Sequence, residues 1–400
     1  MNFLRKIIRK IRFRPIGIIK RTLQRASYVV VAFLGKLILT CLRALRLIEP
    51  LAAYEKNKVK KILVLRPDRI GDVILATPVL EALRNHFPHA HIALLVSDQN
   101  RDLVAANPFV NEIITIGHKG IWGIFRNNKL LKKLKKERFD LALVLYPVLW
   151  CNLLVFLSSI PYRLGHDFHG NGFLLTTRVP YTCEKESRHE VDVNLQVLEA
   201  IGIKPKRKRL HVSVSQEAEK HIASFLYENN ISPQDLVVVI HPGAYEQHIR
   251  WMSDGFAKVA WRLIDEHDAK VVILGGPGEE GLVDKVCGLA GEKTIPATGL
   301  MLSETISLIK RAGLFLGNST GPMHIAAALE VPVVAIFGNI HPLDSFKKWG
   351  PYGGKHIIVH KDVGCRQCQP SDCSHFRCMK AITADEVFAA CQAQIKRMQG

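Results

Sequence analysis

The chain has 400 residues, 48% hydrophobic and 23% charged, a composition that excludes a disordered polypeptide and suits two domains of ordinary size. Its net charge of +19 is unevenly placed: residues 1–60 hold fifteen Lys and Arg against Glu49 and Glu55, or +13, which leaves +6 for the other 340 residues. Four of the nine cysteines fall within residues 365–378, which excludes a disulfide framework spread over a secreted fold and points to a reducing compartment.

In residues 1–14, Leu4, Ile7, Ile8 and Ile11 recur at helical spacing with arginines and lysines on the other faces, and Pro15 ends the pattern. Ala26 to Leu42 is almost wholly apolar, interrupted by Lys36. Seventeen helical residues reach about 25 Å, short of the roughly 30 Å hydrocarbon core. A lysine near the middle of a span costs about 2.5–3.5 kcal/mol, and no small-x-small cleavage site follows the run. A monotopic or peripheral anchor over residues 1–55 fits best, its cations on an anionic inner-membrane surface and its apolar residues in the acyl boundary. An ordinary helical arm is the alternative. Nucleic acid is not an expected partner, since the cations alternate with aliphatics and no binding module follows.

From residue 61 the pattern alternates. Strands are expected at 61–67, 91–97, 112–117 and 140–147, with helices after the first and over 129–139, whose lysines read as a solvated face. Residues 201–215, rich in Pro, Lys and Arg, read as a linker. A second alternation follows, with strands at 236–243, 270–279, 314–322 and 331–338. Strands alternating with helices imply parallel sheets with right-handed crossovers, whose ligands bind beyond the strand ends. The expected divisions are 1–55, the extension; 56–205, an acceptor-side Rossmann-like domain; 206–383, a nucleotide-sugar-binding Rossmann-like domain; and 384–400, a terminal helix packing back on the first domain.

Two segments suggest chemistry. Arg66 to Pro78 (RPDRIGDVILATP) joins a strand to a helix through Gly71 and Asp72. Asp72 suits either a helix cap or a base that takes a proton in a cleft. Gly317 to Leu329 (GNSTGPMHIAAAL) is again strand, turn and helix, with Pro322 in the first turn. The Thr320 and Gly321 N–H groups would suit a diphosphate at the helix N-terminus. His324 is either a proton donor to that phosphate or a core histidine.

Together these segments resemble glycosyltransferase family 9, the heptosyltransferase group. Residues 62–83 match its first signature, a strand, a Gly-Asp turn and an L-x-T-P helix, and residues 319–329 match its second except at the first position. His241 to Ala244 followed by Arg250 and Trp251 resembles the donor loop. Residues 274–279 resemble a ribose-contacting turn, and Ile336 to Gly353 a further family segment. The resemblance implies a GT-B fold, two Rossmann-like parallel-sheet domains facing a cleft, and inverting, metal-independent transfer. It implies Asp72 as catalytic base, the Thr320 and Gly321 amides and His324 on the diphosphate, and Glu279 on the ribose, with Gly243, Arg250, Asn318 and Ser319 also on the donor side. The implied partners are ADP-heptose and a lipopolysaccharide or glycolipid acceptor, met at the cytoplasmic face of the inner membrane. Two positions depart from the pattern: Ile249 stands where the family has a lysine, and Ser319 where it has an acid. They leave open a different nucleotide sugar, or a non-catalytic glycolipid- or nucleotide-binding homologue. No cofactor is implied for catalysis.

Cys365, Cys368, Cys373 and Cys378 fall within fourteen residues, with His375 among them. Four soft ligands at this spacing permit a structural zinc, and a disulfide or free thiols are the alternatives.

Overall fold

The structure is a computed structural model and describes residues 55–181, 188–338, 345–354, 356–365, 373 and 375–399, with Gly35 and Leu37. The expected membrane-seeking extension therefore lies almost wholly outside the described residues. No helix among the described residues is long and apolar enough to cross a membrane.

The first half carries strands β1 (Lys61–Leu65), β2 (His91–Ser97), β3 (Glu112–Ile116), β4 (Leu141–Val144), β5 (Tyr162–Asp167) and β6 (Thr177–Pro180). Its helices are α1 (Ile70–His86), α2 (Ile121–Arg126), α3 (Asn128–Glu137), α4 (Leu149–Leu157) and α5 (Glu190–Glu199). The second half carries β7 (Val237–His241), β8 (Lys270–Leu274), β9 (Ile295–Ala297), β10 (Leu314–Asn318), β11 (Val333–Phe337) and β12 (His356–His360). Its helices are α6 (Gln216–Glu228), α7 (Ser253–His267), α8 (Glu280–Ala290), α9 (Leu302–Arg311), α10 (Gly321–Ala328) and α11 (Ala384–Gln399).

Each half builds a six-stranded sheet, in the orders β3-β2-β1-β4-β5-β6 and β12-β11-β10-β7-β8-β9. Counted from its own first strand, each runs 3-2-1-4-5-6, so each has a point where strand order reverses and the connections diverge. In open sheets of this order ligands bind beside the strand ends at that point. In the second sheet that point lies between β7 and β10, whose pairing sets His241 opposite Gly317. The eight expected strands form; β5, β6, β9 and β12 are additions. β9 is three residues long and β5 carries Arg163, His166 and Asp167, so neither shows the apolar run that marks a buried strand.

The chain divides into two compact units. One holds the segment ending at Leu65 with His89–Ala93 and Ile116–Tyr181; the other holds Arg66–Pro88, Leu94–Thr115 and Thr182–Gly400. The terminal helix corrects an expectation. Val387, Phe388, Cys391 and Ile395 of α11 join the same core as Val238, Phe256, Leu314 and Val334 of the second half. Their helical spacing makes one apolar stripe, and Phe388 alone gives about 1.5–3 kcal/mol on burial there. Gln394 Nε2 also donates to the Val333 carbonyl of β11 at 3.2 Å. The burial in this core, not a return to the first domain, places the helix.

Candidate active site

All the groups below belong to the second unit. Helix α1 contains Pro78, which has no N–H and leaves the Ile74 carbonyl without its helical donor. Thr77 Oγ1 donates to that carbonyl at 2.6 Å and accepts from the His211 N–H at 2.9 Å. Asn194 Nδ2 donates to the next carbonyl, that of Leu75, at 3.2 Å. The Thr-Pro pair is thus a break and its repair, and the repair ties down the linker at residue 211.

Asp72 stands in the first turn of α1, but the capping position is Arg69 and no side chain caps the helix. The Asp72 carboxylate turns to Arg66 instead, Oδ1 to Nη2 at 2.7 Å. Arg66, only 3% exposed, is shared: Nη2 also reaches Glu190 Oε1 at 2.9 Å, Nε lies 3.2 Å from Asp68 Oδ1, and Nη1 donates to Asn194 Oδ1 at 3.1 Å. Buried Lys348 faces the other Glu190 oxygen at 3.6 Å. Three carboxylates therefore meet two cations. Burial pushes Asp68 up to about 8 despite the nearby Arg66. Burial also raises Asp72 above the usual carboxylate range, against the pull of Arg66. A carboxylate so placed is held by Arg66 and is more basic than one in water.

The two glycine-bearing turns meet. A Cβ on Gly71 would lie 2.5 Å from His324 Cδ2, and one on Gly321 would lie 2.9 Å from Ile70 Cβ. The N-termini of α1 and α10 therefore pack together, and each turn needs its glycine because of the other. Both helices bring unpaired first-turn N–H groups and the positive end of a dipole. Thr320 stands at the N-cap of α10 without a side-chain cap bond. His324 is 4% exposed and its Nδ1 has no hydrogen-bond partner. Burial, then the neighbouring His189, lowers its pKa to about 3. It is a neutral ring, able to donate one hydrogen bond but not to supply charge.

At the reversal point of the second sheet, His241 Nε2 lies 3.0 Å from Glu279 Oε2, which also accepts the Gly276 N–H at 2.9 Å. His241 Nδ1 lies 3.3 Å from the Thr320 hydroxyl, which also donates to the Asn318 carbonyl at 3.3 Å. The His241 hydrogen bond lowers the Glu279 pKa in spite of partial burial. Gly243 lies directly under Glu279 Oε1, where any Cβ would collide. Arg250, whose Nη2 donates to the Ala244 carbonyl at 2.7 Å, adds to the pull on Glu279. Asn318 is fully buried and its amide is in use: Oδ1 accepts from the Trp251 N–H at 3.0 Å, and Nδ2 donates to the Pro242 and Gly243 carbonyls at 2.9 and 3.0 Å. It fastens the 242–251 loop. Ser319 is half-buried in the turn before α10, and Ile249 ends a short turn at Gln247–Ile249.

The structure thus groups Asp72 with Gly321 and His324, and Glu279 with Gly243, Arg250 and Thr320. Sequence reading missed Arg66, Glu190, Lys348 and His241 as parts of these groups. Arg66 and His241 sat inside quoted motifs, each at the end of a strand, and that position was the available signal. Of the cysteine cluster, Cys368 lies outside the described residues, and Cys373 Sγ lies 3.7 Å from His375 Nδ1. No group of three or more His, Cys, Asp or Glu among the described residues is arranged to hold a metal ion. Residues 339–344 of the segment from Ile336 to Gly353 also lie outside the described residues.

Comparison with known proteins gives a consistent set of relatives. Residues 127–378 match the family model for glycosyltransferase family 9 (heptosyltransferase). The lipopolysaccharide heptosyltransferase 3 of Escherichia coli (strain K12) is 31% identical over 284 residues, 67% of this chain and 79% of that protein. The solved glycosyl transferase family 9 structure from Veillonella parvula DSM 2008 has a TM-score of 0.74 at 25% identity, covering 84% of this chain and 97% of that one. The E. coli ADP-heptose LPS heptosyltransferase II has a TM-score of 0.70 at 23% identity, covering 85% of this chain and 100% of that one, which shows a shared GT-B fold.

Proposed function

Since the chain belongs to glycosyltransferase family 9 and is a glycosyltransferase, we propose that it moves heptose from ADP-heptose onto a lipopolysaccharide core or related glycolipid. In this reading residues 56–205 serve the acceptor, residues 206–383 the donor, and the basic extension holds the enzyme peripherally on the cytoplasmic face of the inner membrane. The reaction inverts the anomeric centre and needs no catalytic metal. Asp72 takes the proton of the acceptor hydroxyl while that oxygen bonds to the anomeric carbon, opposite the leaving group. The bond from that carbon to the phosphate oxygen breaks, and its electron pair departs on the nucleoside diphosphate. The Thr320 and Gly321 amides, one N–H of neutral His324 and the Arg250 cation meet the developing charge. Glu279 receives the ribose hydroxyls, aligned by His241.

The observation that supports this best is the Asp72 carboxylate, which serves no helix cap and is held by Arg66 beside the paired N-termini of α1 and α10. Ile249 and Ser319 favour a second reading, a family 9 transfer from another nucleotide sugar, which a panel of donors resolves. Asp72→Asn, assayed with a chelator present throughout, tests the mechanism. Asn keeps the size of Asp and an oxygen that can accept from Arg66, whose charge still faces Glu190, so the fold should persist while turnover falls roughly 10²–10⁴-fold. Near wild-type turnover in the variant rejects Asp72 as base, and loss of wild-type transfer on chelation rejects the metal-free step.

A further inference from the structure

We propose that α2 and α3 form a docking surface for an anionic lipid bilayer, separate from the N-terminal extension. Between residues 119 and 138 there are eight Lys and Arg against one acid, Glu137, and that acid is already paired with Lys61 Nζ at 3.0 Å. On α3, Lys129, Lys132, Lys133 and Lys136 recur at helical spacing and are exposed, while Leu134 of the opposite stripe is fully buried. On α2, Ile124 is buried, yet Trp122 is 79% exposed and Ile121 43%.

A face that is merely solvated mixes both signs of charge and rarely offers a tryptophan. Lysines beside an outward indole are instead what a negatively charged membrane interface selects. The cations are drawn to the headgroups, and the amphipathic ring settles at their depth. The presentation is also fixed. Gly120 turns the chain with φ of +90°, and Gly123 sits directly on the His118 carbonyl, where a side chain would collide. Asn127 Nδ2, at the junction of the two helices, donates to the His118 and Gly123 carbonyls at 2.9 and 2.8 Å. The indole is therefore held out on a built corner, next to the lysine row in sequence.

The test uses the full-length protein and vesicles of equal parts phosphatidylcholine and phosphatidylglycerol whose acyl chains are brominated near the headgroup. Trp122 fluorescence should be quenched on binding, and Trp122→Phe should remove that quenched component. Replacing Lys129, Lys132, Lys133 and Lys136 together by Gln should abolish Trp122 quenching and weaken vesicle binding about 10–100-fold at low salt. Thermal melting checks that both variants keep the fold. Because the extension also binds lipid, quenching is the reading specific to this surface. Bound protein whose quenching is the same in wild type and Trp122→Phe overturns the proposal. So does a lysine variant that keeps full Trp122 quenching, or one that loses only affinity for duplex DNA.

Discussion

Glu190→Gln perturbs the proposed base without touching it. Glu190 Oε1 and Asp72 Oδ1 share one guanidinium nitrogen, at 2.9 and 2.7 Å, so those oxygens lie less than about 6 Å apart. Two unit charges at that separation repel by about 3 kcal/mol at an effective dielectric constant of 20, and by half that at 40. Removing the Glu190 charge should therefore lower the Asp72 pKa by roughly one to two pH units. Because its ionised form is the working form, the acid limb of the pH–rate profile should move down by the same amount. A weaker base also lowers the plateau, by about three- to tenfold. The amide removes the carboxylate charge that buried Lys348 faces at 3.6 Å, which should lower stability. Adding Lys348→Met should recover much of that loss while the limb stays shifted. The assay is transfer rate against pH for wild type, the single variant and the double variant, with a urea midpoint for each. An acid limb that Glu190→Gln leaves unmoved would refute the shared-guanidinium argument.

Two further expectations follow from the same geometry. Asp68 has a folded-state pKa of about 8, above the value near 4 of an unfolded chain. Between these values the native state binds the extra proton, so stability should fall as pH rises from about 4 to about 8. Asp68→Asn should flatten that slope in denaturant midpoints, and an unchanged slope contradicts the assignment. His241→Phe breaks the link between Glu279 and Thr320 and should raise the donor KM about 10–100-fold, the scale of one hydrogen bond to a charged group, with a smaller change in kcat. A donor KM equal to wild type would remove His241 from the donor site.

Much of the scaffold was legible in the residues alone. Apolar runs of five to seven residues ending in Gly or polar turns marked eight strands, because a strand covered on both faces must be apolar throughout. Gly71 with Asp72, and Thr320 with Gly321, could be placed at strand–helix turns for the same local reason, and the spacing of the two segments carried the resemblance to family 9. Strands β5 and β9 were hidden, since one is polar at its end and the other is three residues long. The terminal helix showed its apolar stripe but not its partner. Local pattern reports that a face must be buried, not against what.

The surroundings of each charge were set only in three dimensions. Asp72 read equally as cap and as base in sequence, and the fold sets it on the Arg66 nitrogen that Glu190, 124 positions from Arg66, also reaches. His324 read as a proton donor to phosphate or as a core histidine, and the fold buries it so that its pKa is pushed down. Asn318, expected on the donor side, has its amide on three backbone groups of the 242–251 loop. Periodicity and turn chemistry act over a few residues and survive in the sequence. Desolvation and Coulomb balance depend on which distant groups share a buried volume, and only the tertiary structure decides that.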